Sequence, residues 1–532
     1  MRELEINNFC NDAIKKELAE RFGFSDEAKI DTPLYNIFEL MGKEGCTDII
    51  VEDRYIDKEY LDEFSHYYST VFKNYEKCCV RLHFFKDNIR KNVFGFDDDN
   101  VKFLFDRSYT EQIQDKYLGF CVVRPLERNR VSRTVIKPYV ENYNEEFILS
   151  QSEATVNLNG TNLKAQGMPF LQQDAQSGVC ANASLVMLSQ YMHEKHKYQT
   201  CTAPEATIMA NDYFGFQRAF PNKGLRIDQI VGVLIRLGYS PVAYSAPGNM
   251  TSPQRENLKK IVYYYLESEL PVILIVQLGG GSLHSCLVIG HDYKVANTAV
   301  ISLPRRNSDF IQHFFLHDDQ LGPYLKMPIR PGDVKTSNYL SNKDQSVFNQ
   351  FYSTPYSFEN VVAAIVPIHK KIYLMGEEVE THVGALLSLR SPTLIAMMSF
   401  MDKDDADNLD KAINNNEISI RTYFIKSNEY KNRVASIDNV SPSLKKKYLN
   451  VELPNYIWIT EISTFSFVSS KKSEDHMVFG EIICDATLIQ GAPIFFRLFH
   501  LPGVLFDANP NLPGDNKILK IIDDKPYQAY IR

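Results

Sequence analysis

Residues 270–293 read LPVILIVQLGGGSLHSCLVIGHDY, two apolar runs hinged on a glycine triplet. The first run, LPVILIVQL at 270–278, is the longest apolar stretch of the chain, yet it has less than half of the ~20 residues that a membrane span needs. It reads as a buried strand, and LHSCLVIGHDY after the GGGS loop reads as a second one. Upstream, SPQRENLKKIVYYYLESEL has helical spacing and runs directly into the first strand. Before it, GLRIDQIVGVLIRLGYSP is an amphipathic helix stopped by Gly238 and Pro241. Downstream, TAVISLP (298–304) and DFIQHFFL (309–316) predict two more strands, ending in HDDQLGPY. Helices thus precede strands, the order of an α+β domain rather than a doubly wound one.

The chain has 532 residues, too many for one core, so roughly two to four domains are expected. The expected division is an α+β region at 1–165, a central domain at 166–330 and a β-rich C-terminal region at 331–532. The last opens on the polar stretch GDVKTSNYLSNKDQSVFNQ and continues with strand-like runs such as RTYFIKS, YIWITEIS and MVFGEIICDAT. In the first region NDAIKKELAERFG reads as a capped helix. There DKYLGFCVVRPLE and RTVIKPYV read as a strand pair. The connector between them carries Arg124, Arg128, Arg130 and Arg133, read as a solvated turn, with a phosphate or acidic-partner site as the alternative.

Hydrophobic residues make up 44% and charged residues 23%, the balance of a soluble globular protein. The net charge of −8 is spread along the chain and disfavours nucleic acid as a main partner. The N-terminus lacks the apolar segment of a signal peptide. The nine cysteines include no CxxC pair, which points to reduced thiols and a cytoplasmic setting, or a host cell reached by non-classical export.

Residues 172–193, QQDAQSGVCANASLVMLSQYMH, place Cys180 where a helix should begin: Gly178 breaks the chain before it, and Leu185, Leu188 and Met192 follow on one face. A helix N-terminus favours a thiolate, and a neighbouring imidazolium favours it more. His284 opens the strand after the glycine loop, and Asp318 or Asp319 stands at the end of a later one. A carboxylate there would orient the imidazole, and the amide of Gln173, or of Gln172, could donate to an oxyanion. Taken singly, each has a plainer reading, as core thiol, satisfied histidine or turn aspartates.

The combination resembles the papain-like cysteine peptidases, and within them the branch of bacteriocin-leader peptidases that cut after double glycines. Gln, Cys180, Ala183 and Ser184 match the nucleophile motif, 270–293 matches the strand–loop–His strand, and Asp318, Asp319 and Gly322 echo the aspartate motif. The likeness covers residues 170–325 only. It departs from the family where CAN follows in place of CGP and in its longer Gln–Cys and His–Asp intervals. The resemblance implies Cys180 as nucleophile, His284 as base and acid, Asp318 as orienter and Gln173 as oxyanion donor. Hydrolysis of a protein or peptide substrate through a thioester is then expected, with the flanking regions selecting substrate or receiving a regulatory partner. The same constellation serves deamidation and acyl transfer. A catalytically silent scaffold that binds a partner is the rival.

No metal or organic cofactor is called for by this chemistry, and no P-loop or dinucleotide fingerprint occurs. HEKH at 193–196 fails the zincin spacing, FGFDDDNVKF at 94–103 lacks the acids of a calcium loop, and Cys286 reads as core or pocket lining. His291, His313 and His317 fall near strand ends as further candidates for ligation or capping.

Overall fold

The glycine-hinged runs pair: in the computed structural model of the chain, Val272–Gln277 and Leu283–Asp292 are antiparallel, with Val276 opposite His284. The structure describes residues 5–8, 32–89, 110–158, 160–174, 180–213, 224–245, 251–278, 281–294, 304–330, 357–388, 391–437, 440–468, 476–489, 496–509, 518–521 and 526–528. The pair lies inside an antiparallel sheet ordered Gly322–Pro328, His313–Asp318, Leu283–Asp292, Val272–Gln277, Val361–Val366, Val242–Ser245. Glu146–Ile148 pairs with the far end of Leu283–Asp292, where a Cβ on Gly290 would meet the Phe147 carbonyl at 2.1 Å. Only glycine permits so close an approach.

The two helices expected ahead of the sheet are Ile227–Leu237, closed by Gly238 at φ 103°, and Ser252–Glu267. Both carry the apolar face that their spacing predicts. TAVISLP falls mostly outside the described residues. DFIQHFFL begins later than expected, as a 3-10 turn at Asn307–Phe310 before the strand His313–Asp318.

Two other antiparallel sheets flank this one. The N-terminal sheet runs in chain order through Glu5–Asn8, Cys46–Tyr55, Cys79–Lys86, Tyr117–Val123 and Val131–Ile136. Its last two strands are the pair read in DKYLGFCVV and RTVIKPYV. The capped helix at NDAIKKELAERFG and the segment 94–103 lie outside the described residues. The C-terminal sheet contains Ile418–Lys426, Tyr456–Thr464, Gly480–Asp485, Phe496–Leu501, Val504–Asp507 and Ile518–Lys520.

Three expectations need correction. The central sheet does not stop at 330, because Val361–Val366 sits between Val272–Gln277 and Val242–Ser245. Arg305–Arg306, expected in the central domain, pairs in parallel with Ile418–Lys426 of the C-terminal sheet. Strand pairing, not polar composition, decides where a sheet ends, and the polar stretch after 330 merely connects. The C-terminal region is also α+β rather than β-rich: helices at Gly376–Ser388, Pro392–Met398, Lys403–Asn414, Ser427–Ser436 and Pro442–Asn450 cover its sheet. Their polar composition hid them, although two of them, Pro392–Met398 and Pro442–Asn450, start on Ser–Pro. Finally, Arg124 and Arg130 are buried rather than solvated, while Arg128 is exposed.

One buried apolar cluster runs through all three regions, from Leu34 to Val504. The single tryptophan, Trp458, is fully buried at the seam, donating from its indole N–H to the Leu374 carbonyl at 2.8 Å. A chain of buried charges crosses the same seam: Arg421 bonds Glu267 and Glu461, and Arg433 bonds Glu461. No helix among the described residues is long and apolar enough to cross a membrane.

Candidate active site

Small residues let a helix come close to a sheet, and the stretch after Cys180 is Ala181, Asn182, Ala183, Ser184. The helix Cys180–His196 is buried from Ala181 to Met192 and lies against the strand Leu283–Asp292. One turn beyond Cys180, Ser184 Oγ accepts a hydrogen bond from Ser285 Oγ at 2.9 Å. Ser285 is the neighbour of His284, so this bond fixes the Cys180 helix against the His284 strand. Asn182, where the family has proline, donates to the Ala203 carbonyl and to Thr207 Oγ1, tying the helix start to the next helix, Ala203–Tyr213.

Cys180 is half-buried at the first position of its helix, where unpaired N–H groups gather. His284 is 3% exposed. Its Nε2 lies 2.9 Å from Asp318 Oδ2, and the ring also hydrogen-bonds Cys180, which leaves Nδ1 for the thiol. Burial alone would lower the imidazole's pKa. The Asp318 carboxylate and the hydrogen bonds from Asp318 and Cys180 override that and hold it well above the usual histidine range. A cationic ring beside a thiol is the arrangement that favours a thiolate.

Asp318 is held in turn. Its Oδ1 accepts from the N–H groups of Gln320 and Leu321 at 2.9 and 3.1 Å, an Asx-type turn that closes on Gly322 at φ 130°. Asn36 of the N-terminal region donates to the Leu321 carbonyl and braces the turn. Asp318 therefore has one oxygen for His284 and one for the backbone. Asp319 is 1% exposed, with Oδ1 3.7 Å from His284 Nε2 and neither oxygen hydrogen-bonded among the described residues. Burial pushes its carboxyl up to about 7, with His284 lowering it and Asp318 raising it.

The two glutamines separate. Gln172 is buried and committed elsewhere: its Oε1 accepts from Val131 N–H at 3.0 Å and its Nε2 faces Asn129 Oδ1 at 3.5 Å. Its carbonyl oxygen and one of its two amide N–H groups are thus engaged with the N-terminal region. Gln173 is half-buried and makes no hydrogen bond among the described residues. Gln176 and Gly178 lie outside them.

Sequence reasoning missed what anchors this segment. Arg124, fully buried, donates to both oxygens of Glu63 and to the carbonyls of Asn129, Val131 and Gln172. Two residues on, Asp174 accepts from Tyr68 O–H at 3.1 Å. Burial opposes the charge on Arg124, and the Glu63 and Asp174 carboxylates override it and keep the guanidinium protonated. The arginine-rich connector was visible in the sequence. Its partners, Glu63, Asp174 and three backbone carbonyls, were not.

The three histidines read near strand ends each have a separate partner. His291 bonds Glu267 and His313 bonds Asp292, while His317 Nδ1 faces the Pro169 carbonyl and burial drives its ring down to about 3. Cys286 is fully buried core. No family model, curated protein or solved structure matches the chain.

Proposed function

We propose that the chain is a cysteine peptidase acting on a protein or peptide through Cys180, His284 and Asp318. The observation that carries this reading is the shared ring: His284 gives one nitrogen to Asp318 at 2.9 Å and the other to a cysteine at a helix N-terminus. The Cys180 thiolate attacks the scissile carbonyl carbon, and the oxyanion is met by N–H donors of the helix start and by the Gln173 amide. His284 gives its Nδ1 proton to the leaving amine, which departs as the C–N bond breaks. Water then enters: His284 takes one of its protons, the hydroxide carbon bond forms, and the thioester opens to carboxylate and thiol. Asp318 holds the ring through both steps. The flanking regions select substrate or receive a regulator, and the setting is cytoplasmic.

The test is the pH dependence of iodoacetamide labelling, located by peptide mass mapping, on wild type and on His284→Ala. Cys180 is expected to label fastest of the nine cysteines, by a route active below neutral pH that the alanine variant loses. Labelling as slow as that of the core cysteines, and indifferent to His284, would remove the catalytic reading and leave the binding scaffold.

A further inference from the structure

A carboxylate taken fully out of water normally meets hydrogen bonds or a cation, and a buried one without them calls for an explanation such as an ion. Among the described residues, Asp319 has neither oxygen hydrogen-bonded. Its nearest cationic group, His284 Nε2, is already held by the adjacent Asp318. Two carboxylates thus converge on one imidazole nitrogen in a fully buried corner.

We infer that His284, Asp318 and Asp319 form a site for one divalent transition cation of zinc's size, and that its occupation silences Cys180. These three are the one group of such side chains, among the described residues, whose ligand atoms lie within 4.8 Å of one another. Zinc bonds of about 2.0–2.2 Å put the edges of its tetrahedron at about 3.4 Å. The observed Nε2–Oδ distances of 2.9 and 3.7 Å bracket that edge. One imidazole with two carboxylates suits zinc or its neighbours; calcium demands six or more oxygens, and magnesium keeps its waters. The charge balances, since a dication cancels the two carboxylates, and a proton held by Asp319 leaves to solvent with the one on Nε2. The support is also in place: Asp318 is oriented by the Gln320 and Leu321 N–H groups, as ligating carboxylates are.

The cation takes the Nε2 lone pair, and the proton there leaves to solvent. The remaining ring proton then sits on Nδ1, the nitrogen facing Cys180, so the ring is no longer the imidazolium that favours the thiolate, and it cannot pass that proton to a leaving amine without becoming an imidazolate. The cation site needs only the geometry; the silencing rests on the peptidase reading.

The experiment uses the full chain stripped with a chelator, then titrated with cobalt(II) and zinc(II) by calorimetry and visible absorption. One cation per chain is expected, with no thiolate-to-cobalt charge-transfer band, and binding weakened about 10–100-fold in Asp319→Asn. Zinc is expected to slow Cys180 alkylation in wild type and not in Asp319→Asn. No binding, equal binding in the variant, or a thiolate band would overturn the site. Should Cys180 of the chelated protein prove inert while cobalt binding still depends on Asp319, the site stands and the peptidase reading falls.

Discussion

At Asp319 a single carboxyl decides how the site responds to pH. Its folded pKa is about 7 against an ordinary value near 4, so the fold holds its proton where the unfolded chain has lost it. Stability from this group is complete below about pH 4 and drains as pH rises through 7. His284 drains in the same direction, since its raised ring stabilises the fold below the ordinary histidine value and loses that as pH passes its folded one. Asp319→Asn isolates the first effect. Relative to wild type, the variant is expected to gain stability between pH 4 and pH 8, on the order of a few kcal/mol. Thermal melts at the two pH values read it, and a constant offset would show that Asp319 is ionised throughout. The residue scale is also where the sequence was most legible. Cys180, His284 and Asp318 were readable from order and context because each marks the end of an element. The engagement of Gln172 with Val131 and Asn129 was not legible, because it is made across some forty residues, which no local pattern carries.

At the scale of elements, the segment entering the Cys180 helix is hung from the N-terminal sheet by Arg124. Removing one partner of a buried ion pair leaves the others uncompensated and costs about 3–5 kcal/mol. Arg124→Met is therefore expected to lower the urea midpoint by that order and to slow Cys180 alkylation. Adding Glu63→Gln should return part of the stability, because it removes the stranded charge. A single variant as stable as wild type, with Cys180 still reactive, would show that the anchor does not hold the segment. Elements with long periodic faces, such as Ile227–Leu237 and Ser252–Glu267, were legible because burial on one side writes itself into spacing. The helices between 376 and 450 were not, because their apolar positions are thinly set among charged and polar residues, as in KDDADNLDKAIN at 403–414.

For the whole molecule, the expected three-way division fails at its joints. A chain ending at residue 330 lacks Val361–Val366 and exposes an edge of Val272–Gln277. Such a fragment is expected to aggregate or to lose cooperative unfolding, read by light scattering and circular dichroism. A soluble, cooperatively melting 166–330 fragment would restore the expected boundary. Pairings of this kind were illegible because residues 273 and 365 are separated by most of a domain, and sequence announces a strand but not its neighbour.

That inserted strand also sets a clock on synthesis. Cys180 emerges from the ribosome well before residues 361–366, which pair with Val272–Gln277, the neighbour of the His284 strand. At about 5–20 residues per second, the delay is on the order of ten to forty seconds. A sheet built this way stays incomplete on its own nascent chain, and the site it carries is supported on every side only once most of the polypeptide has been made.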